Sequence, residues 1–537
     1  MSRLLAILLF AAMLFATGLH AQHLDFGRVF PPEEQQWSDY RAALARFDAL
    51  RGHVADDPAE AAARFDALER AVQRLDAYLY LRAAVDTTNA RAKEAEETLS
   101  AEYDQHTAFF AAEAAKVPES RVPARYRWFF AVAREQAKHR LAQAQEDVVA
   151  TLEPFTTTWQ ADLKDRLDAS AASAADKREL YAFSLVALAR ARNAVAKLRG
   201  YDDAASEVYA RSGLAKADVT RLLDALAREA ERYKQYAAMR AAHADVAVAP
   251  KFTFDEVRAI LPRALAPNGA EYVTELNALL DPANGRFDAG PGEHRRRGGF
   301  SKGFPGFPSV FFMPAFNGTF NDMRVVAHES THALQSELEG RRGVAPVSIA
   351  GQPKFLAETF AMFNELLLPA WLADREQDPA RKAFFLEQFL ESKGMGIVFV
   401  TAAEAALEQE LYDGVAAGTI RDADAIDALA QRVGARYLPR ELKWTNVRLM
   451  WDDPFYDVNY TLAGLLSLAL YARYVRDPNA FLPAYRTLFA SGAVDAPDVL
   501  LRRAGIDIHD ARWVTDALDS VQGRIDELKA IYAARSR

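Results

Sequence analysis

The chain of 537 residues contains no cysteine. This excludes disulfide bonds as a source of stability, and it excludes a lipoprotein anchor, which needs an N-terminal cysteine. Histidine is also scarce, with 10 residues in the whole chain, so two histidines at a metal-ligand spacing are unlikely to coincide by chance. Half of the residues are hydrophobic, which is enough for a large core and for more than one lobe.

An excess of positive charge is absent as well, since the formal net charge is −9. A nucleic-acid-binding protein normally presents a basic face to the phosphates, so we expect no nucleic-acid partner. The one tight basic run, Arg295–Arg297, lies in a glycine-rich segment. We expect this run to be a solvated loop.

Long apolar runs are absent except at the N-terminus, where Arg3 precedes the apolar run Leu4–Gly18 and the small residue Ala21 follows. This layout predicts a secretory signal peptide over residues 1–21, because a membrane-spanning helix needs about 20 apolar residues. A retained membrane anchor is the alternative. With no cysteine in the chain, we expect a periplasmic or secreted protein without stable membrane association after signal cleavage.

Sustained alternation of apolar and polar residues, the pattern of a large sheet, is also missing. Apolar residues instead recur every three or four positions, as in FDALERAVQRLDAYLYLRAAV over residues 65–85, and this period predicts helices. Residues 284–309 are rich in glycine and predict a loop, and VFFMPAF over residues 310–316 predicts a short strand. The predicted fold class is therefore all-α with a small β element.

The segment RVVAHESTHAL, over residues 324–334, has two histidines four positions apart. On a helix, His328 and His332 share a face and can direct ring nitrogens at one metal ion. Glu329 points about 100° away from His328, so it can reach a water on the metal more easily than the metal itself. H-E-x-x-H therefore indicates two zinc ligands and a general base, although a surface helix with two solvated histidines would show the same letters.

A catalytic zinc ion also needs a third protein ligand. A further histidine six positions after His332 would be residue 338, which is leucine, and a glutamate 19 positions after it would be residue 351, which is glycine. Glu358 and Glu365 follow in a helical pattern, seven positions apart and therefore on one face. One can bind zinc while the other orients a ligand histidine, and spacing alone does not choose between them.

Two segments, FFMPAFNGTFNDMRVVAHESTHAL and FLAETFAMFNELLL, resemble the oligoendopeptidase F branch of the thimet oligopeptidase family of zinc peptidases. GRFDAGPGEHRRRGGFSKG resembles the glycine-rich segment before the metal helix of that family, and RARNAVAKLRGYDDAASEVY resembles a stretch common in that branch. The similarity covers most of residues 190–475. We therefore expect three regions: the predicted signal peptide over 1–21, an N-terminal helical region over 22–189 and a zinc peptidase catalytic region over 190–537.

The resemblance implies that one Zn²⁺ per chain is held by His328, His332 and Glu358. It makes Glu329 the general base, and it places Glu365 on the second glutamate of the family's metal-site helix, next to the ligands. It also implies a mainly helical fold in which two lobes flank a deep channel that admits short peptides.

The segment WDDPFYDVNYTLAGLL, over residues 451–466, predicts a helix with Asp452 or Asp453 as its cap and Pro454 in its first turn. Tyr456 and Tyr460 then lie on one face. The resemblance implies that these two phenols donate hydrogen bonds to the substrate carbonyl or its oxyanion, a task that suits a neutral donor.

Two departures from the family pattern remain. Thr331 replaces the usual glycine of the H-E-x-G-H motif, and no histidine precedes the tyrosines near Trp451. We expect an exported zinc endopeptidase acting on short peptides. The alternatives are a carboxypeptidase or dipeptidyl peptidase on the same scaffold, or a helical peptide-binding protein with a vestigial metal site.

Overall fold

The computed structural model describes residues 23–510 and 512–535, so the predicted signal peptide over residues 1–21 lies outside the described part of the chain. The α-helices are, in chain order, α1 (Phe26–Val29), α2 (Glu33–Asp48), α3 (Pro58–Val85), α4 (Ala90–Ala114), α5 (Arg127–Ala137), α6 (Gln143–Glu153), α7 (Trp159–Ala169), α8 (Ala174–Leu198), α9 (Ala204–Arg211), α10 (Lys216–Ala241), α11 (Phe254–Ala264), α12 (Ala270–Leu280), α13 (Phe320–Arg341), α14 (Pro346–Ala350), α15 (Lys354–Ala373), α16 (Pro379–Glu387), α17 (Gly396–Ala417), α18 (Ala423–Tyr437), α19 (Leu449–Asp452), α20 (Asp457–Arg476), α21 (Pro478–Phe489), α22 (Pro497–Arg503), α23 (Arg512–Asp519) and α24 (Gln522–Arg535). The predicted mainly helical fold is confirmed.

Three short strands, β1 (Phe287–Asp288), β2 (Phe300–Phe304) and β3 (Phe307–Phe312), form a sheet in the order β1-β3-β2. β3 pairs parallel with β1 and antiparallel with β2. The loop predicted over residues 284–309 is therefore wrong in part, and the strand predicted over 310–316 begins and ends earlier. Stacked phenylalanine rings explain the difference, because they join positions distant in sequence: Phe287 with Phe311 at 4.4 Å, and Phe300 with Phe312 at 5.0 Å.

Arg295 also departs from the prediction of a solvated loop, because its side chain is only 4% exposed. Its guanidinium pairs with the buried carboxylate of Asp288 at the end of β1 and donates to the carbonyls of Met313 and Pro314. A buried carboxylate needs such a partner. Arg296 and Arg297 are exposed, as predicted.

Helix α13 begins after Thr319, whose hydroxyl accepts the N–H of Asp322, while the Asp322 carboxylate accepts the N–H of Thr319. This reciprocal cap satisfies two of the free donors at the helix start. Strand β2 packs closely against α13, since a Cβ at Gly303 would lie 2.3 Å from the Ala333 carbonyl oxygen. The predicted β element next to the metal-binding helix is confirmed.

The described chain divides into two compact units, each discontinuous in sequence. The first contains the sheet and α13, and comprises the described residues up to Leu50 together with Ala63–Thr107 and Lys251–Pro346. The second comprises Arg51–Ala62, Ala108–Pro250 and the described residues from Val347 onward. The predicted extent of the peptidase region, from residue 190 to the end, stays a prediction.

The core of the second unit contains α15, α17 and α20, and most side chains of these helices are buried. A Cβ at Gly464 of α20 would lie 3.0 Å from Val398 of α17, so glycine allows these two helices to approach closely. Among the described helices, none combines the length and the apolar character that a membrane span requires.

Candidate metal centre

His328 and His332 lie one turn apart in the middle of α13, and both side chains are partly buried. Their Nε2 atoms are 3.2 Å apart, and the ring planes are inclined at 80°. Two nitrogens at 2.0–2.1 Å from a tetrahedral zinc ion would be about 3.3 Å apart. The two imidazoles therefore converge at the separation that one metal ion requires.

Glu358 lies one turn into α15. Its side chain is partly buried, as are those of His328 and His332, and the three residues offer one carboxylate and two imidazoles to a metal ion. Two imidazoles and one carboxylate are a recognised ligand set for catalytic zinc, with a fourth position left for water or substrate. The donor set fits the ion that the sequence predicts.

The carboxylate Oε1 of Glu329 lies 4.0 Å from Nε2 of His328, and the side chain is 20% exposed. The backbone around it is held by β2, because the hydroxyl of Ser301 donates to the Glu329 carbonyl. A partly exposed carboxylate this close to an imidazole of the donor set can exchange protons with a bound molecule.

Thr331, which replaces the glycine of the family motif, is fully buried. Its hydroxyl donates to the Ala327 carbonyl one turn earlier at 2.7 Å and lies 3.4 Å from the phenol oxygen of Tyr272 on α12. The extra side chain therefore fills space against α12 while its polar atom is satisfied within the helix. The departure is accommodated by local packing.

Glu365 is 2% exposed and lies two turns beyond Glu358 on α15. Its carboxylate pairs with the ammonium of Lys393, which is also buried, at 3.2 Å. This ion pair fixes the carboxylate within the second unit. The predicted task of Glu365, to orient a ligand histidine, stays a prediction.

Tyr456 immediately precedes α20, and Tyr460 lies in its first turn. Their rings are 5.1 Å apart, as expected for residues on one face. Lys354, one turn before Glu358 on α15, places its ammonium over the Tyr456 ring at 4.7 Å. Burial raises the pKa of the Tyr456 phenol, with further contributions from Tyr460 and Glu358, so Tyr456 stays a neutral donor.

The start of α20 corrects one prediction. The helix begins at Asp457 rather than around Pro454, and neither Asp452 nor Asp453 caps it: Asp452 ends α19, and Asp453 lies in the turn that follows. Phe455 interrupts the helical path because its φ is +68°, a value that bulky side chains rarely adopt.

Trp451 does not take the place of the absent histidine. The indole is buried, and its N–H donates to the hydroxyl of Ser184 at 2.9 Å. The ring also packs against Trp444 and Tyr181. Trp451 therefore belongs to the core around α8.

Sequence reasoning missed two residues near the tyrosines. Lys354 had a usable signal, because it lies four positions before Glu358 and so shares its helix face. Glu408 on α17 had none, although its buried carboxylate accepts the N–H of Phe455 at 2.7 Å. Glu408 and Phe455 are 47 positions apart in the sequence, and the packing of α17 against α20 brings them together.

Fold and donor set together define a mainly helical protein with an H-E-x-x-H helix and a glutamate from a second helix. Residues 276–520 match the sequence profile of peptidase family M3. Together with the relatives and structures below, this match confirms that the chain resembles the oligoendopeptidase F branch of family M3.

Two curated relatives carry this similarity. The plasmid-encoded oligoendopeptidase F of Lactococcus lactis subsp. cremoris is 21% identical over 372 residues, which is 65% of this chain and 61% of the relative. Oligopeptidase PepF of Bacillus subtilis is 21% identical over 289 residues, which is 52% of this chain and 42% of the relative. The chain thus matches less than two thirds of the length of either protein.

Solved structures share the fold over nearly the whole chain. A candidate peptidase from Chlamydophila abortus superimposes with a TM-score of 0.79 at 18% identity, covering 95% of this chain and 98% of the other. Oligoendopeptidase-F from Enterococcus faecium superimposes with a TM-score of 0.61 at 15% identity, covering 93% and 99%. At such low sequence identities the structural similarity establishes the fold only. The chemistry has to be argued from the residues of the candidate site.

Proposed function

We propose that this protein is a zinc metalloendopeptidase that hydrolyses peptide bonds in short peptides. The proposal is carried by the two imidazoles, whose Nε2 atoms are 3.2 Å apart, together with the carboxylate that Glu358 offers. The peptide substrate class is supported by the names of the similar proteins, which are oligopeptidases.

His328, His332 and Glu358 would hold the ion. Zinc, when bound, supplies Lewis-acid chemistry at a peptide carbonyl and lowers the pKa of water. Two neutral imidazoles and one carboxylate leave the site with a net positive charge, which favours anionic groups there.

Glu329 takes the proton of the attacking water and passes it to the leaving amine. The 4.0 Å separation between its carboxylate Oε1 and Nε2 of His328 supports this role. A carboxylate in this position can accept a proton in the first step and return it in the second.

Tyr456 and Tyr460 donate hydrogen bonds to the oxyanion that forms at the scissile carbonyl. The pairing of their rings, and the contact of Tyr456 with Lys354 one turn from Glu358, support this role. Because the raised pKa keeps the Tyr456 phenol protonated, it donates at neutral and moderately alkaline pH.

Export is part of the proposal and rests on the N-terminal sequence alone. Expression of the complete chain in a Gram-negative host, followed by fractionation, should place the protein in the periplasm with a mature N-terminus near residue 22. Recovery of the uncleaved chain from the membrane fraction would favour the retained anchor.

The test of the function is a comparison of the parent with Glu329→Gln on a fluorogenic peptide blocked at both ends. The amide preserves shape but cannot accept a proton, so we expect unchanged zinc content and a kcat lower by about 10²–10⁴-fold. Near-parental cleavage by this variant would rule out Glu329 as the base.

Product analysis by mass spectrometry completes this test. Internal cleavage of the doubly blocked peptide by the parent is expected. Cleavage only after a terminus has been unblocked would favour a carboxypeptidase or dipeptidyl peptidase, and zinc binding without any cleavage would favour a vestigial site.

A further inference from the structure

Phe455 has an unusual backbone conformation directly before Tyr456. Its φ of +68° lies in the left-handed region, where a Cβ and an aromatic side chain are sterically disfavoured. Such a residue persists only when its surroundings hold it, and strain of this kind is concentrated at functional sites.

Two side chains of helix α17 hold Phe455 in this conformation. Glu408 is fully buried, and its Oε2 accepts the N–H of Phe455 at 2.7 Å. The Phe455 ring packs 4.7 Å from the ring of Tyr412 on α17 and 5.7 Å from that of Tyr209 on α9. One hydrogen bond and one aromatic pocket therefore fix the backbone and the side chain of Phe455 together.

The turn at Phe455 determines the direction in which the chain enters Tyr456. The N–H of Tyr456 donates to the Asp453 carbonyl at 3.1 Å, and the Tyr456 carbonyl accepts the N–H of Asn459 at 2.8 Å. Tyr456 thus joins the turn to α20, and its ring contacts Lys354 of α15. A change of φ at Phe455 would rotate the chain just before this ring.

We propose that Glu408 is a positioning residue for the peptidase reaction: its buried carboxyl group holds the left-handed turn at Phe455 and thereby aims the Tyr456 phenol. This inference rests on the proposed function, and it assigns a task to a buried acid that takes no part in metal binding or proton transfer.

The surroundings of Glu408 favour its neutral form. Burial raises the pKa of this carboxyl well above its usual range, and the charge of Asp457 on α20 adds to the effect. Glu404, one turn earlier on α17, is a further acid beside Asp457. Because a neutral carboxyl group and a carboxamide have similar shape and both offer an acceptor oxygen, Glu408→Gln should reproduce the hydrogen bond to Phe455.

The experiment is a double-mutant cycle on the zinc-loaded enzyme, with Glu408→Leu and Tyr456→Phe made singly and together. We expect Glu408→Leu to lower kcat by about tenfold or more through misplacement of the phenol, with KM and zinc content at parental values. Glu408→Gln should stay within about threefold of the parent, since it restores the acceptor.

In the Tyr456→Phe background the phenol is gone, so Glu408→Leu should change kcat by no more than about twofold. A purely structural role would lower kcat by the same factor in both backgrounds, and that result would overturn the inference. It would also be overturned if Glu408→Gln were as impaired as Glu408→Leu.

A parental kcat for Tyr456→Phe alone would instead overturn the proposed role of the phenol, and the inference with it. Should Glu408→Leu not fold, Glu408→Asp provides the same test, because the shorter side chain withdraws the acceptor from Phe455. An Asp variant with parental kcat would then overturn the positioning role.

Discussion

Individual side chains at the candidate site have distinct proposed tasks. His328 and His332 depend on one helix for their spacing, whereas Glu358 comes from a different helix. Glu329 has the same chemical group as Glu358, and its Oε1 lies 4.0 Å from Nε2 of His328. The proposed function assigns the ligand and the base by position rather than by residue type, and substitution tests each position independently.

Removal of any one of the three proposed ligands should release the metal ion. We expect Glu358→Ala and His332→Ala to lose the one zinc ion per chain after dialysis, because two protein donors hold zinc much more weakly than three. Elemental analysis of the purified variants provides the measurement. Glu365→Gln is the matched control and should retain zinc. If Glu365→Gln lost zinc while Glu358→Ala kept it, Glu365 rather than Glu358 would be the third ligand.

Removal of the Tyr456 hydroxyl should slow the chemical step. Loss of one preorganised oxyanion donor lowers kcat by about 10²-fold or more. KM and zinc content should remain unchanged, because the interaction is made only in the transition state. Steady-state kinetics of Tyr456→Phe and Tyr460→Phe on one peptide will rank the two phenols, and a kcat within about twofold of the parent for Tyr456→Phe would contradict this placement.

At the scale of elements, the sheet supports α13 from one side. Strand β2 lies against α13 so closely that Gly303 has no room for a side chain, and Ser301 of the same strand donates to the Glu329 carbonyl. The sheet therefore holds the helix that carries His328, Glu329 and His332.

Gly303→Ala should disrupt this contact. Its Cβ would lie 2.3 Å from a backbone oxygen of α13, which cannot move without displacing the helix. We expect a loss of about 1–3 kcal/mol in stability, a lower melting temperature and weaker zinc retention. Gly523→Ala is the control, because nothing lies within 4 Å of its Cβ. Equal melting temperatures and zinc retention for the two variants would show that α13 shifts to accommodate the added methyl group without loss of stability.

At the scale of the whole molecule, buried acids make stability dependent on pH. Burial raises the pKa of Asp457 from 3.8 to about 7. Burial, followed by the charge of Asp457, raises the pKa of Glu404 from 4.5 to about 8. The folded state therefore retains protons that the unfolded chain has already released, and stability falls as the pH rises from about 4 to about 8.

Asp457→Asn should reduce this slope. In the unfolded chain this carboxyl group ionises around its ordinary pKa of 3.8, whereas in the folded state it stays protonated up to about pH 7, so the parent loses stability over that interval. The difference between variant and parent should therefore shift in favour of the variant by roughly 4 kcal/mol between pH 4 and pH 8.

Melting temperatures of both proteins across this range, at constant zinc, measure the effect. Asp202→Asn, at an exposed position, controls for the change in net charge. Parallel curves for Asp457→Asn and the parent would show that Asp457 does not bind the extra proton.

What lies within a single helix could be predicted from the sequence. The helical period, the shared face of His328 and His332, and the pairing of Tyr456 with Tyr460 all depend on spacings of three or four residues, which backbone geometry converts directly into neighbours in space. The small strand before the metal-binding helix was also recognisable from its apolar run.

What joins distant segments was decided by the tertiary structure. Helical spacing allowed both Glu358 and Glu365 as the third ligand, and burial distinguishes them: Glu365 is 2% exposed and paired with Lys393, whereas Glu358 is only partly buried. The strands inside the glycine-rich segment form because β3 supplies partners, and Phe455 turns because Glu408 lies on a neighbouring helix. Such contacts depend on how separate elements pack and on what becomes buried between them, which the order of residues along one element does not specify.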